Sequence, residues 1–114
     1  MIAALFEVWP KAEHRQDYLD AAEALREQLE AIDGFISIER FESLTTPGKI
    51  LSISVFENEE ALRTWRNIAE HRRAQALGRA LYFSDYRLRI TEVIRDYGMQ
   101  DREQAPADSR ELHD

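Results

Sequence analysis

The hydrophobic period of this chain changes several times, and the order of the changes leaves few folds open. Residues 2–9 (IAALFEVW) are a short apolar run closed by Pro10, the pattern of a strand buried on both faces. From Glu13 the spacing lengthens. Tyr18, Ala21, Ala22, Leu25, Leu29 and Ile32 fall on one stripe of an amphipathic helix. Asp33-Gly34 then stops it, glycine being the usual residue at a left-handed helix terminus. Residues 35–44 (FISIERFESL) alternate in part, with Ile36 and Ile38 opposite Phe35 and Phe41. Thr46-Pro47-Gly48 is a turn signal, and residues 49–56 alternate again through Leu51, Ile53 and Val55, so the two runs predict a hairpin. Asn58 is placed to cap a second helix, with Glu59 and Glu60 in its first turn. Helical character runs to about Leu81. A last strand over roughly 82–95 carries Tyr86, Leu88, Ile90 and Ile94 on one face. The order β-α-β-β-α-β predicts an α+β, ferredoxin-like subunit.

The second helical stretch contains a conflict. Leu62, Trp65 and Ala69 define a stripe that, continued unbroken, places Arg72 near its centre. The later apolar set of Ala69, Ala76, Leu77 and Ala80 is rotated and takes in Arg73. An Arg inside a buried stripe is costly unless paired. A break near Asn67–Glu70 resolves the conflict; the alternative is a straight helix whose Arg stems cover apolar surface while the heads reach water.

The chain of 114 residues suits one domain. Its net charge of −7 is uneven: residues 1–98 carry 17 acids and 13 bases, whereas residues 99–114 carry five acids, two Arg and one large aliphatic, Leu112. We therefore expect a domain over 1–98 and an acidic, flexible C-terminal tail over 99–114. The acidic balance argues against nucleic-acid binding. No apolar run approaches a membrane span, and residues 1–9 lack a basic segment ahead of their apolar stretch; the expectation is a cytoplasmic protein that meets no membrane. Phe6, Trp9, Phe35, Phe41, Phe56, Tyr86, Leu88 and Ile90 are more apolar area than two helices can cover. A bare apolar sheet face associates, so we expect a homodimer through the sheet faces.

Zero cysteines exclude disulfides, thiolate catalysis and Cys-based metal sites. His14, His71 and His113 have no metal-ligand spacing, the serines lack a G-x-S-x-G setting, and the four glycines are too dispersed for a phosphate loop. No metal site is expected. Charge does segregate. Residues 13–33 hold seven acids against two Arg, residues 58–81 hold three acids against five Arg, and Arg87, Arg89 and Arg95 add to the basic side. One reading is an Arg-rich rim that holds an anionic aromatic ligand, since guanidinium pairs with carboxylate and stacks on rings. The other is a set of solvated faces joined by Glu–Arg pairs. Trp65 sits on the helix stripe facing the sheet, where it fills the core or walls a cavity with Phe6, Trp9, Phe35, Phe56 and Tyr82.

Several strings together resemble one family. Asp33-Gly34-Phe35 closes the first helix, and the F-x-x-x-x-A-L-x-x-W pattern runs from Phe56 through Ala61-Leu62 to Trp65. Trp65-Arg66-Asn67, His71-Arg72-Arg73-Ala74-Gln75, Gly78-Arg79 and Asp85-Tyr86-Arg87-Leu88 follow. Over about residues 1–97 the chain resembles the antibiotic biosynthesis monooxygenase (ABM) family of dimeric α+β barrels. The resemblance implies sheets paired into a dimeric barrel, with a pocket in each subunit between sheet and second helix. It also implies a monooxygenase that oxidises a small aromatic, quinol or polyketide-like substrate with O₂ and neither metal nor other cofactor. His71 and Trp65 would then be catalytic, with Phe6, Trp65, Arg72, Gln75, Tyr82 and Tyr86 binding substrate. A haem-opening branch uses a strand-one Asn, a helix-two Trp and a later helix-two His. Trp65 matches the Trp, but Phe6 and Gln75 stand at the other two positions, which disfavours haem. A non-catalytic dimeric ligand-binding or stress-response module is the alternative to an enzyme.

Overall fold

The computed structural model describes residues 1–114, the side chains of Ala69 and Glu70 excepted. Four antiparallel strands, β1 (Ile2–Pro10), β2 (Phe35–Glu42), β3 (Ile50–Phe56) and β4 (Phe83–Glu92), form one sheet in the order β2-β3-β1-β4. Between β1 and β2 lie α1 (Arg15–Ala24) and α2 (Arg26–Glu30); between β3 and β4 lie α3 (Glu59–Arg66), α4 (Ala69–Leu77) and a π turn over Gly78–Tyr82. This is the α+β ferredoxin-like arrangement that the periods predict.

The breaks follow from local chemistry. Asn58 caps α3, its Oδ1 accepting the Ala61 N–H at 2.9 Å. The second helical stretch breaks between Arg66 and Ala69, where the Arg72 conflict places a break. The first helix, expected as one piece over 13–33, is divided at Leu25. Gly34 ends it at φ +91°, and a Cβ there would meet the Ala61 Cβ at 3.0 Å, so conformation and close approach both favour glycine. In β2 an irregularity between Phe35 and Ser37 leaves Ile36 as an extra residue: Phe35 pairs with Phe56, and Ser37 with Val55. Ile38 thereby joins Phe35 on the helix side, rather than opposing it. The last strand ends at Glu92, short of the expected 95, and Ile94 is exposed beyond it. Residues 99–114, expected as a loose tail, include α5 (Ala107–His113). Their contacts are largely their own, among them Arg102 to Asp114 at 2.8 Å and Arg110 to the Ala105 carbonyl at 2.9 Å.

The register sorts the two faces of the sheet. Leu5, Leu51, Ile53, Val55 and Phe41 lie on the face away from the helices, with Glu7 bound there by Lys49 and Arg89. Phe6, Phe56, Leu88 and Ile90, grouped by sequence with the excess apolar sheet surface, instead face the helices. On that side Ile2, Ala4, Leu29, Phe56, Ala61 and Leu62 form one core cluster, and Val8, Tyr18 and Ile50 a second. Small side chains keep the clusters from merging. Along one row of the sheet stand Arg40, Ser52, Phe6 and Leu88; along the next, Ile38, Ser54, Ala4 and Ile90. Two serines and an alanine cannot fill the layer under the helices, and close packing fails there.

Candidate functional site

The unfilled layer is a cavity of about 200 Å³ between the sheet and the two helical segments. Ala4, Phe6, Ser52 and Ser54 form its floor, Tyr18, Leu25 and Leu29 one wall, and Trp65, His71, Ala74 and Gln75 the other. Tyr82 and Phe83 close one end, and Leu88 and Ile90 reach it from the edge strand. It lies below the drug-sized range of roughly 300 Å³ and up, so it suits a small molecule.

The break between α3 and α4 brings Trp65 and His71 together. Their rings stack at 4.4 Å between centroids, 21° from parallel. An unbroken helix would separate residues six apart by well over a turn of rotation; the bend folds one back over the other. The His71 Nδ1 is buried and makes no hydrogen bond. Burial holds this imidazole below its ordinary pKa. The backbone carbonyls of Arg66 and Trp65 oppose that effect, and the Arg72 charge reinforces it. The ring is therefore neutral at neutral pH and able to accept a proton.

The expected site residues separate into two groups. Phe6, Trp65, His71, Gln75 and Tyr82 all line the cavity. Arg72 is not among its walls; its exposed guanidinium bonds the Asn67 side chain. Tyr86 stands just behind, packed on Phe6 at 5.7 Å and Phe83 at 6.1 Å, with its hydroxyl accepting from Arg79 at 3.0 Å. The inward face of α4 also differs from the expected one. Ala76, Leu77 and Ala80 face solvent, and His71, Ala74 and Gly78 face in. Gly78 is required there: a Cβ would lie 2.5 Å from Phe83 Cε2.

Four further cavity residues, Tyr18, Arg26, Arg40 and Arg66, carry charge or a proton and were not singled out by sequence for this site. Arg40 reaches in from β2, and Tyr18, 7% exposed, faces it from α1. Burial raises the Tyr18 pKa, while the charge and hydrogen bond of the adjacent Arg40 pull it down. The available signal was faint: an Arg in a strand position alternating with Phe41 reads as a solvated residue. Haem does not fit this donor set. Phe6 offers a ring and Gln75 an amide where the haem-opening branch would present Asn and His, and the one imidazole in the cavity is stacked flat on Trp65. Among the described residues, no group of three or more His, Asp or Glu side chains is placed to hold a metal ion, and no helix is long and apolar enough to cross a membrane.

A ferredoxin-like subunit with one apolar sheet face and a ring-lined cavity under its broken second helix defines a subunit of the dimeric α+β barrel class. Residues 1–77 match the family model described as antibiotic biosynthesis monooxygenase, and the chain belongs to that family. It is 43% identical over 93 residues to a jasmonate monooxygenase of Pyricularia oryzae, an alignment covering 82% of this chain and 43% of that protein. The chain thus spans less than half the length of that relative. It is also 26% identical over 85 residues to the uncharacterized protein YqjZ of Bacillus subtilis, covering 75% of this chain and 73% of that one. A crystal structure from Deinococcus radiodurans, of a protein named for the same family, superposes with a TM-score of 0.77 at 18% identity, over 86% of this chain and 97% of its own. Rv0793 from Mycobacterium tuberculosis superposes with a TM-score of 0.76 at 16% identity, over 85% and 98%.

Proposed function

We propose that this chain is a homodimeric monooxygenase that oxidises a small, electron-rich ring compound with O₂ in the cavity beneath Trp65 and His71, using no metal. The observation that carries this reading is the neutral, half-buried His71 ring stacked on Trp65 in the wall of the cavity, its Nδ1 shut off from solvent. A phenol or quinol reacts with O₂ through its anion, so the protein must remove a proton and keep water away. His71 accepts the proton from the substrate hydroxyl. Trp65 covers the ring plane, and Phe6 and Tyr82 hold the ring from the sheet and from the π turn. The substrate anion supplies the electrons for O₂ reduction, with no separate reductant. The ring carbon that is oxidised loses its one hydrogen and gains one oxygen atom as a carbonyl; the other oxygen atom departs as water with that hydrogen and the hydroxyl proton that His71 took up. The homodimer places the apolar outer face, Leu5, Leu51, Ile53, Val55 and Phe41, against its copy.

The test offers the purified protein a panel of quinols and naphthols, with jasmonate added because the 43% identical relative is named for it. O₂ uptake and incorporation of ¹⁸O from ¹⁸O₂ are measured. The expected result is uptake with one labelled atom per product, with kcat lowered about 100-fold or more in His71→Ala. Saturable ligand binding without O₂ uptake across the panel would instead establish a binding module. Turnover unchanged in both His71→Ala and Trp65→Ala would remove this cavity from the chemistry.

A further inference from the structure

The cavity is cationic in an acidic protein. Three guanidinium groups, Arg26, Arg40 and Arg66, line it, and among the described residues no Asp or Glu does, although the chain carries a net −7. Arg26 is already engaged, with Glu23 at 3.2 Å and Glu30 at 3.8 Å. Arg40 differs. Among the described residues no carboxylate lies within ion-pair distance of it, and its buried Nε makes no hydrogen bond. The acids on its own strand are directed elsewhere: Glu39 pairs across from Ile53 on the outer face, and Glu42 binds Arg15 at 3.0 Å. A guanidinium Nε shut off from water without a partner is costly, so its retention at a cavity wall points to an anion that completes it on binding.

We propose that Arg40 is a specificity-determining residue of this cavity: its guanidinium receives the carboxylate of a small amphipathic acid whose carbon frame lies along Ala4, Phe6 and Leu88. The proposal rests on reading the cavity as the substrate site. The row Arg40, Ser52, Phe6, Leu88 runs from cation through hydroxyl to ring to aliphatic chain. It crosses three strand spacings, about 14 Å, and so is polarised from end to end like the ligand it would take. A planar fork with a free Nε matches the two coplanar oxygens of a carboxylate. Arg66 is exposed, which leaves Arg40 as the half-buried cation of the chamber without a carboxylate among the described residues, and one such cation suits a monoanion better than a phosphate. The Tyr18 hydroxyl, beside the same guanidinium, is a positioning group that keeps the fork turned toward the cavity. The sequence contrast of an acidic first helix with a basic second one suggested an anion site on helix two and the last strand; the geometry points to β2.

The test is calorimetric titration at pH 8 with 1-naphthoate and 1-naphthamide, which share a ring system and differ in charge. Wild type is expected to bind naphthoate at least about tenfold more tightly than the amide. Arg40→Met, which replaces a half-buried cation that has no carboxylate partner among the described residues by an apolar chain of similar length, should erase that preference and leave amide affinity within about threefold. Arg40→Lys keeps the charge without the fork and should retain part of the preference. Wild type that binds neither probe, or both equally, overturns the proposal, as does a preference that survives in Arg40→Met. O₂ uptake is read separately: no turnover with an intact acid preference refutes the oxygenase reading alone.

Discussion

Gly78→Ala tests how rigidly the π turn is seated on the cavity. A Cβ at this position would stand 2.5 and 2.6 Å from Cε2 and Cζ of Phe83, against an ordinary carbon contact of ~3.5 Å or more. One side must therefore move by about 1 Å. The Phe83 ring has little room to retreat, because Tyr18 packs on it at 5.4 Å, Phe6 at 5.9 Å and Tyr86 at 6.1 Å. Overpacking of this kind costs about 1–3 kcal/mol, and the better helix propensity of alanine returns up to ~1 kcal/mol. A net loss of about 1–2 kcal/mol follows, a fall in Tm of roughly 4–10 °C for a domain of this size. Thermal unfolding is measured at fixed protein concentration, since association shifts Tm. Gly98→Ala, which meets nothing within 4 Å, is the control and should leave Tm within about a degree. A Gly78→Ala protein as stable as wild type would show that the turn slides freely over Phe83 and refute the seating argument.

Asn58→Ala removes the cap on α3 and is expected to cost about 1 kcal/mol, read as a lower midpoint in urea with unchanged slope. The folded-state pKa of His71 lies below its ordinary value of 6.5, so the unfolded chain binds the extra proton first. The stability contributed by keeping this ring neutral is therefore present above about 6.5 and is lost as pH falls from there toward the folded-state pKa. Comparing wild type with His71→Gln by denaturant titration from pH 5 to 8 should show the extra acid sensitivity in wild type alone. Ile53→Asp, at the middle of the outer apolar face, should leave a monomer by light scattering if the sheet faces form the dimer; an unchanged mass would place the interface elsewhere.

Much of the chain order was legible because it is written in periods. The apolar run 2–9, the stripe from Tyr18 to Ile32 and the turn at Thr46-Pro47-Gly48 each determine an element by local sterics and burial, and the misplaced Arg72 marked the break before α4. The cavity was less legible because it is made of what is missing. Ser52 and Ser54 read simply as one face of a strand, and only the pairing partners show that this face lies under the helices beside Ala4. The inward face of α4 was misjudged for a related reason. Ala76, Leu77 and Ala80 are apolar but meet solvent, whereas His71 and Gln75 are polar and meet the cavity; a polar residue facing an unfilled layer violates the rule by which helix faces are read. Arg40 escaped on the same ground, being a charge on the side of the sheet that sequence rules reserve for aliphatic residues.

The extra residue in β2 gives the cavity an unusual kind of dependence. Phe35 and Arg40 differ in parity, so on a regular strand they would point to opposite faces; because Ile36 is bulged out, both face the helices. Removing Ile36 would leave Phe35 and Arg40 four apart, and a regular ladder would still carry both to the helix side. Pairing Ile36 into the ladder in place of the bulge, with Phe35 held against Phe56, would change no residue of the sequence, yet it would turn Arg40 outward and bring Glu39 opposite Ser52, an acid where the guanidinium now stands. In this strand the charge offered to a guest is set by a reading frame of one residue, by whether Ile36 is bulged or paired.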